Sequence, residues 1–487
     1  MKEVRTRFAP SPTGYMHIGN LRTALYAYLF AKHENGKFIL RIEDTDQKRY
    51  VEGATEIIYQ TLKQTNLIHD EGPDKDGGYG PYVQSERKPL YKQYALELVE
   101  KDKAYYCFCS NHKDEETAEA EEQEEVKTYG YNRHCRNLSK EQIEQYLAEG
   151  KPYVIRQKMP LSGTTTFHDE VYGDITVDND SLDDQILLKS DGMPTYNFAN
   201  VVDDHLMEIS HIIRGKEYIS STPKYQLLYE AFGWEVPKTV HLSTIMGQNA
   251  DGTVSKLSKR HGSVGFANLL EEGYLSEAII NYIALLGWGT SSEQEVYSLD
   301  ELIKVFSLDG IVKTNAIFDY KKLDWFNAIY IKNMSHNEFV EYSKPYIKAL
   351  PKYLQEKWEF ASTLAQSRIS KFSEIPSLFA FLDNFEDYDL VLFENKKNKL
   401  DKTQSLEIIK DIKDILDKEN EWTLESLSNI LQTYSDLKEY KIGKTMWPIR
   451  IGVTGQTVTP GGGAEMLYLL GKEESLKRLN RCMDRLS

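Results

Sequence analysis

The stretch Arg7-Phe-Ala-Pro-Ser-Pro-Thr-Gly14-Tyr-Met-His17-Ile-Gly19-Asn20 leaves the backbone few paths. Pro10 and Pro12 stiffen the exit from a short apolar strand over residues 4 to 9, Gly14 permits a turn that other residues take poorly, and a helix is predicted from Leu21 to His33. Strand, turn and helix in that order put a polar loop at a helix N-terminus, where backbone N–H groups and the helix dipole favour phosphate. His17 and Gly19 fall in the turn, where a neutral imidazole can donate to a phosphate and a glycine lets a purine or ribose approach the backbone. A second segment, Ser255-Lys256-Leu-Ser258-Lys259-Arg260-His-Gly262, sets two lysines around Ser258 in a cationic loop able to follow charge developing on a pyrophosphate. Singly, a His-x-Gly turn is more often structural and Lys-x-x-Lys is usually a solvated face. Together, with the motifs between them, they point to adenylate chemistry.

These residues resemble the two signatures of the class I aminoacyl-tRNA synthetases, the HIGH-type motif as His17-Ile-Gly-Asn20 and the KMSKS-type motif as Lys256-Leu-Ser-Lys-Arg260. Asn20 removes one imidazole from that pattern, and Leu257 and Arg260 replace its Met and last Ser. Arg7-Phe-Ala-Pro-Ser-Pro-Thr-Gly14, Arg41-Ile-Glu-Asp-Thr-Asp46, Pro194-Thr-Tyr-Asn-Phe-Ala-Asn-Val-Val-Asp-Asp-His205 and Ile213-Arg-Gly215 are similar to the bacterial-type glutamyl-tRNA synthetases. The likeness runs from residue 5 to about 330, and more weakly through Pro448-Ile-Arg-Ile451 and Leu470-Gly-Lys472.

The resemblance implies ATP-dependent ligation of L-glutamate to tRNA(Glu) through a glutamyl adenylate. It assigns ATP to His17, Gly19, Asn20, Lys256, Ser258 and Lys259, with His17, Lys256 and Lys259 catalytic and Mg2+ accompanying the nucleotide. It places Arg7, Ala9, Ser11, Glu43, Tyr196, Asn200 and Arg214 around glutamate. A ligand with two carboxylates wants two guanidinium forks, and its ammonium wants a carboxylate. Read without the resemblance, Glu43, Asp44 and Asp46 could equally form a solvated strand-to-helix turn, and Tyr196 and Asn200 could be strand packing and a turn.

The fold class expected is α/β, a split Rossmann-type catalytic domain with an inserted acceptor-binding domain, followed by an all-helical C-terminal anticodon-binding region. The halves of the catalytic domain are placed at 1–104 and 195–262, the insertion at 105–194, a stem-contact domain at 263–330 and the anticodon-binding region at 331–487. The α/β pattern resumes at strand-like Glu208 to Ile213 and a helix from Thr222 to Phe232, with Pro223 suited to its first turn. Phe266 to Leu286 and Leu406 to Leu416 read as helices. Ligands are expected at the carboxyl ends of the parallel strands.

The insertion carries Cys107-x-Cys109 and Tyr131-x-x-x-Cys135, which resemble the zinc site of some glutamyl-tRNA synthetases, with His134 as an alternative fourth ligand to Tyr131. Buried free thiols are the competing reading, and Cys482 is read as structural. The net charge of -16 sits oddly with RNA binding, but it is unevenly spread. Residues 114–125 hold eight acids and no base, whereas 438–487 hold nine Lys or Arg against five acids. The absence of a leader or an eighteen-residue apolar run leads to the expectation of a cytoplasmic enzyme without membrane contact, and a monomer is expected.

Other readings remain in view. A non-discriminating enzyme would also glutamylate tRNA(Gln). A glutaminyl-tRNA synthetase would carry Pro-Glu-Pro-Asn-Gly at Pro10–Gly14 and a β-barrel C-terminal region. A truncated tRNA-modifying relative would lack the anticodon-binding region, and a silent RNA-binding paralogue would not need His17, Lys256 and Lys259 intact.

Overall fold

A computed structural model describes residues 2–46, 51–109, 131–249, 251–262, 264–290, 292–383, 385 and 387–487, with Lys259 described by its backbone alone. The acidic run 114–125 lies outside the described residues. The chain forms two compact units, Met1–Glu271 with Ser276–Leu323, and Glu272–Leu275 with Asp324–Ser487.

The first unit is built on a six-stranded sheet. Its strands are β1 (Arg5–Phe8), β2 (Lys37–Leu40), β5 (Thr164–Asp169), β6 (Gly173–Asp178), β8 (His211–Gly215) and β9 (Lys238–Leu242). They lie in the order β2-β1-β8-β9-β5-β6, parallel except for the outermost strand β6. All four residues of β1 are buried, as a strand covered on both faces requires. The helix Ile18–His33, starting earlier than its periodicity suggested, is buried along nearly its whole length and fills one side of the sheet.

A second sheet, β3 (Ala104–Cys107), β4 (Val154–Gln157) and β7 (Ile186–Leu188), rises from the stretch read as an insertion. One apolar cluster, including Tyr91, Leu98, Ile155, Leu187, Phe198, Val202, Tyr225 and Leu228, binds it to the helices Lys88–Glu100, Tyr196–Leu206 and Thr222–Phe232. The same stretch also contributes β5 and β6 to the large sheet, so part of 105–194 lies within the main α/β layer. The helix Thr222–Phe232 has Pro223 in its first turn and ends on Gly233 in the left-handed region, the usual start and stop. Tyr196 and Asn200 lie on a helix, not on a strand and a turn. The apolar strand runs His211–Gly215, three residues later at its start than the pattern placed it.

The second unit is helical throughout its described elements, as expected. Several helix C-termini, whose last carbonyls have no partner within the helix, are closed by side chains from elsewhere. Lys357 Nζ donates to the carbonyls of Tyr468 and Leu469 at 2.6 and 3.2 Å, and Lys472 Nζ to those of Asp417 and Glu419 at 2.9 and 2.7 Å. Buried Arg478 donates to Val453 and Leu382 carbonyls at 3.0 and 2.6 Å. Cys482 is buried against Gly452, in keeping with a packing role.

Burial also sets a pH dependence. His211 on β8 packs edge-on against Phe30, and burial, aided by Lys238, pushes its pKa down to about 4. Burial likewise lowers His241, although buried Asp169 accepts from its Nδ1 at 2.7 Å. Below the ordinary histidine pKa the unfolded chain therefore binds protons that the folded chain refuses. This stability is complete above an ordinary pKa of 6.5 and is lost as pH falls toward about 4. Urea midpoints are expected to drop across that interval, and His211→Gln to flatten the drop; a midpoint unchanged between these pH values would contradict it.

Candidate active site

The turn after β1 follows from its residues. Gly14 sits at φ +131°, a conformation side chains rarely take, and Thr13 N donates to the Ser11 carbonyl at 2.9 Å. His17 caps the following helix in place of the usual Ser or Asp: its Nδ1 accepts from Gly19 N at 3.0 Å. That bond places the hydrogen of the neutral imidazole on Nε2. Burial and nearby Lys256 hold His17 below the ordinary imidazole range, against an upward pull from the backbone of Leu257. Gly19 is half-buried and Asn20 exposed beside it.

The lysine loop meets this turn. Ile18 N donates to the Val264 carbonyl at 2.9 Å and Phe266 N to the Met16 carbonyl at 3.0 Å, so chain just beyond the loop is stitched to the residues flanking His17. The loop leaves a hairpin of β10 (Ile245–Gln248) and β11 (Val254–Lys256), and β10 also pairs with the short strand β12 (Ala316–Phe318). Lys256 is exposed and Ser258 half-buried; the side chain of Lys259 lies outside the described part of the chain.

Next to these motifs is a buried network of charge. Arg7 Nε and Nη2 pair with the two oxygens of Asp204 at 3.0 and 3.1 Å, and Arg41 Nη1 reaches Asp204 Oδ1 at 2.8 Å. Burial alone would raise Asp204, but the two guanidiniums outweigh it and hold the carboxyl below its usual range. Arg41 donates from Nε and Nη2 to Glu43 Oε1 at 3.1 and 2.8 Å. Asp203 is held by Arg87 at 2.7 Å, Tyr91 at 2.8 Å and Gln84 at 2.9 Å. Glu43 is 3 % exposed, so it is no solvated turn residue; neighbouring Asp44 caps Ser85 N at 2.8 Å.

Two groups in this crevice are incompletely partnered. Glu43 Oε2 is buried and accepts no hydrogen bond from the described residues, and burial raises its pKa even against Arg41 and Arg7. Arg214, 5 % exposed, donates to the Tyr196 hydroxyl, and its guanidinium lies 3.7 Å from the centre of the Tyr218 ring. Among the described residues no carboxylate lies within ion-pair distance of Arg214. Arg7, in contrast, is already engaged by Asp204 and keeps only Nη1, 3.5 Å from the Ile213 carbonyl, for anything else. Of the two forks expected for the ligand, one is therefore open and one is mostly committed. Asn200 is buried with Nδ2 on the Tyr196 carbonyl at 3.0 Å, and the backbone of Glu43 donates to the Pro10 carbonyl at 3.1 Å, tying it to the Ala9–Ser11 turn.

The model for the catalytic domain of class I tRNA synthetases (E and Q) matches residues 3–325, and one for an anticodon binding domain matches residues 338–483. The glutamate–tRNA ligase of Clostridium novyi is 51% identical over 490 residues, covering 100% of this chain and 98% of that protein. The chain belongs to the glutamate–tRNA ligase family. A Clostridium botulinum member of that family is 52% identical over 485 residues, 99% of each chain. The crystal structure of a glutamate tRNA ligase from Elizabethkingia meningosepticum, in complex with its amino acid, matches with a TM-score of 0.84 at 36% identity and covers 100% of both chains.

The motifs of this family member converge at the carboxyl ends of the parallel strands. Arg41, Gln84, Asp203 and Asp204, which hydrogen-bond within this network and hold Arg7 and Glu43, were missing from the site read in the sequence. Their signal was present in the adjacent acids of a helix whose neighbours Phe198, Val201 and Val202 are apolar, since charge among apolar residues must be paired. At the end of β3, Cys107, Cys109 and Cys135 bring their Sγ atoms within 4.8 Å of one another, a group that could hold a metal ion. Tyr131 Oη lies 3.1 Å from Cys107 Sγ and 3.8 Å from Cys109 Sγ, and the Arg156 guanidinium lies 3.9 Å from the centre of the Tyr131 ring. His134 is exposed and lies outside this group.

Proposed function

We propose that the chain, as a cytoplasmic monomer, condenses L-glutamate with ATP to glutamyl adenylate and pyrophosphate, then passes the glutamyl group to the 2′ hydroxyl of the terminal adenosine of tRNA(Glu), releasing AMP. The observation that carries the reading is a pair of complementary shortfalls in one crevice: among the described residues Arg214 has no carboxylate and Glu43 Oε2 no donor. An acidic amino acid supplies both. Arg214, with Tyr196, Asn200 and Nη1 of Arg7, takes a carboxylate; Glu43 takes the ammonium; Ala9 and Ser11 close the turn over the ligand.

No protein nucleophile is needed, because the glutamate carboxylate attacks the α-phosphate and pyrophosphate leaves. The chain contributes position and fixed charge. Neutral His17 donates from Nε2 to a phosphate, Gly19, Asn20 and Ser258 line the nucleotide, and Lys256 and Lys259 neutralise the departing charge. Mg2+ bound with the nucleotide shields its phosphates. On the same reading, residues 105–194 hold the acceptor stem, 263–330 contact the stem below it and 331–487 read the anticodon.

Three thiolates and a phenol form a soft, four-membered donor set that suits structural zinc, with no position left open for catalysis. The purified chain should therefore carry about one zinc, lost in Cys107→Ala together with order in the insertion but not ATP binding. Elemental analysis finding no zinc after metal-replete expression would exclude it.

Aminoacylation of separately purified tRNAs tests the whole reading. Glutamate should be joined to tRNA(Glu), and glutamine to neither tRNA. Glutamylation of tRNA(Gln) as well would identify the non-discriminating form, and failure to charge tRNA(Glu) would overturn the proposal.

A further inference from the structure

We propose that His261 is the positioning residue of the lysine loop, fixing the path of the backbone that carries Lys259; the inference rests on the adenylate-forming role proposed for that loop. The loop starts from a firm base. Lys256 pairs in register with Met246, and buried Leu257 donates its N–H to the Ile245 carbonyl at 3.1 Å. A single tight turn, Lys259–His261, follows. At its end the His261 ring folds back between the loop and the hairpin.

The ring's contacts reach both partners. Nδ1 lies 3.1 Å from Ser258 N, 3.3 Å from Ser258 Oγ and 3.2 Å from the Ser258 carbonyl oxygen, which already accepts from the backbone N–H of His261 at 2.9 Å. Nε2 lies 2.9 Å from Asn249 Oδ1 and 3.2 Å from Ser255 Oγ. The Asn249 amide is itself oriented, because its Nδ2 donates to Thr253 Oγ1 at 2.9 Å and so leaves Oδ1 to accept from the ring. One neutral tautomer satisfies both sides: hydrogen on Nε2 goes to Asn249, and Nδ1 accepts from the Ser258 N–H. The ring also fills the space above Gly247, where a Cβ would stand 2.6 Å from its Cγ and Cδ2. That contact accounts for a glycine in the middle of β10, a strand position glycine ordinarily weakens.

The backbone from Ser258 to Arg260 is thus pinned at Leu257 on one side and at His261 on the other. A group acting on charge that develops in the transition state is sensitive to placement, and a shift of about 1 Å can lower a rate by about 10²-fold. Releasing the pin should lower turnover far more than it weakens ground-state binding.

The test uses the full chain with bound tRNA and glutamate-dependent ATP–pyrophosphate exchange. His261→Ala is expected to lower kcat by about 10- to 100-fold while KM for glutamate stays within about twofold. Trypsin, which cuts after Lys256, Lys259 and Arg260, should nick this variant's loop faster than that of the wild type. His261→Asn, which can still accept from Ser258 N, should recover part of the rate. Asn249→Ala should lower kcat less, and the double variant should fall no further than His261→Ala, the non-additivity of groups acting through one contact. A kcat for His261→Ala within about twofold of wild type, a loss of rate without faster tryptic cleavage, or additive losses would each overturn the inference. Should His261→Ala fail to fold, Asn249→Ala decides alone, and an unchanged kcat with an unchanged cleavage rate overturns it. Lys259→Ala separates the two levels of argument: if it turns over normally the loop has been misread, and if it alone is impaired only the role of His261 fails.

Discussion

Arg214→Ala is expected to lower kcat/KM for glutamate by about 10³-fold or more, with KM for ATP changing little. Its guanidinium is buried among tyrosines with no carboxylate of the described residues at ion-pair distance, so on the proposed reading the ligand supplies its missing counter-charge. Arg214→Lys should rescue poorly, since a point charge reproduces neither the fork nor the stacking on Tyr218. The same argument makes glutamine a very poor substrate, because its amide leaves a buried cation uncompensated, and sites built for a polar partner can reject its absence by about 10⁴-fold. Exchange kinetics with tRNA present measure both. Efficient glutamine activation, or glutamate kinetics within about tenfold of wild type in Arg214→Ala, would show that the pocket is assigned wrongly.

Lys259→Ala should slow adenylate formation by about 10²-fold or more with a smaller effect on ATP affinity, because its charge is proposed to matter most once pyrophosphate begins to depart. Single-turnover formation of the adenylate, at saturating ATP with tRNA bound, isolates that step. A near-normal rate would reduce the segment to an ordinary surface loop. His17 gives a useful contrast: it is tied to Gly19 and kept neutral by burial, so its contribution should already be present in the ground state.

What could be read from the residues was what is local. Two prolines and Gly14 dictate the turn after β1 whatever surrounds it, and Pro223 and Gly233 mark both ends of one helix. The break in the helix expected over Phe266–Leu286 was not local. The helices are Phe266–Glu271 and Ser276–Ala284, and between them Gly273, at φ +91°, lets the backbone of Phe372 come so near that a Cβ would stand 2.6 Å from its nitrogen. Nothing near residue 273 in the chain announces a partner a hundred residues on. The committed state of Arg7 was hidden for the same reason: Asp204 is nearly two hundred residues away, and arginine types alone cannot say which fork is already filled. The helix through Tyr196 and Asn200 was masked by aromatic and β-branched residues, which favour strands until packing decides.

The large sheet ends on β6, which among the described residues pairs only with β5 and leaves its other side without a strand partner. Such a border invites a strand from another molecule to continue the sheet. Here the border is six residues long, and Asp174, Thr176 and Asp178 stand exposed along it. A second copy docking antiparallel would bring carboxylates against carboxylates, adding local repulsion to that of a chain with a net charge of -16. Acidity that looks ill-suited to an RNA-binding enzyme would oppose such pairing at this margin, where Asp174 already has His168 as its partner at 2.6 Å, while the arginines of β1 and β8 lie on the far side of β5 and β9.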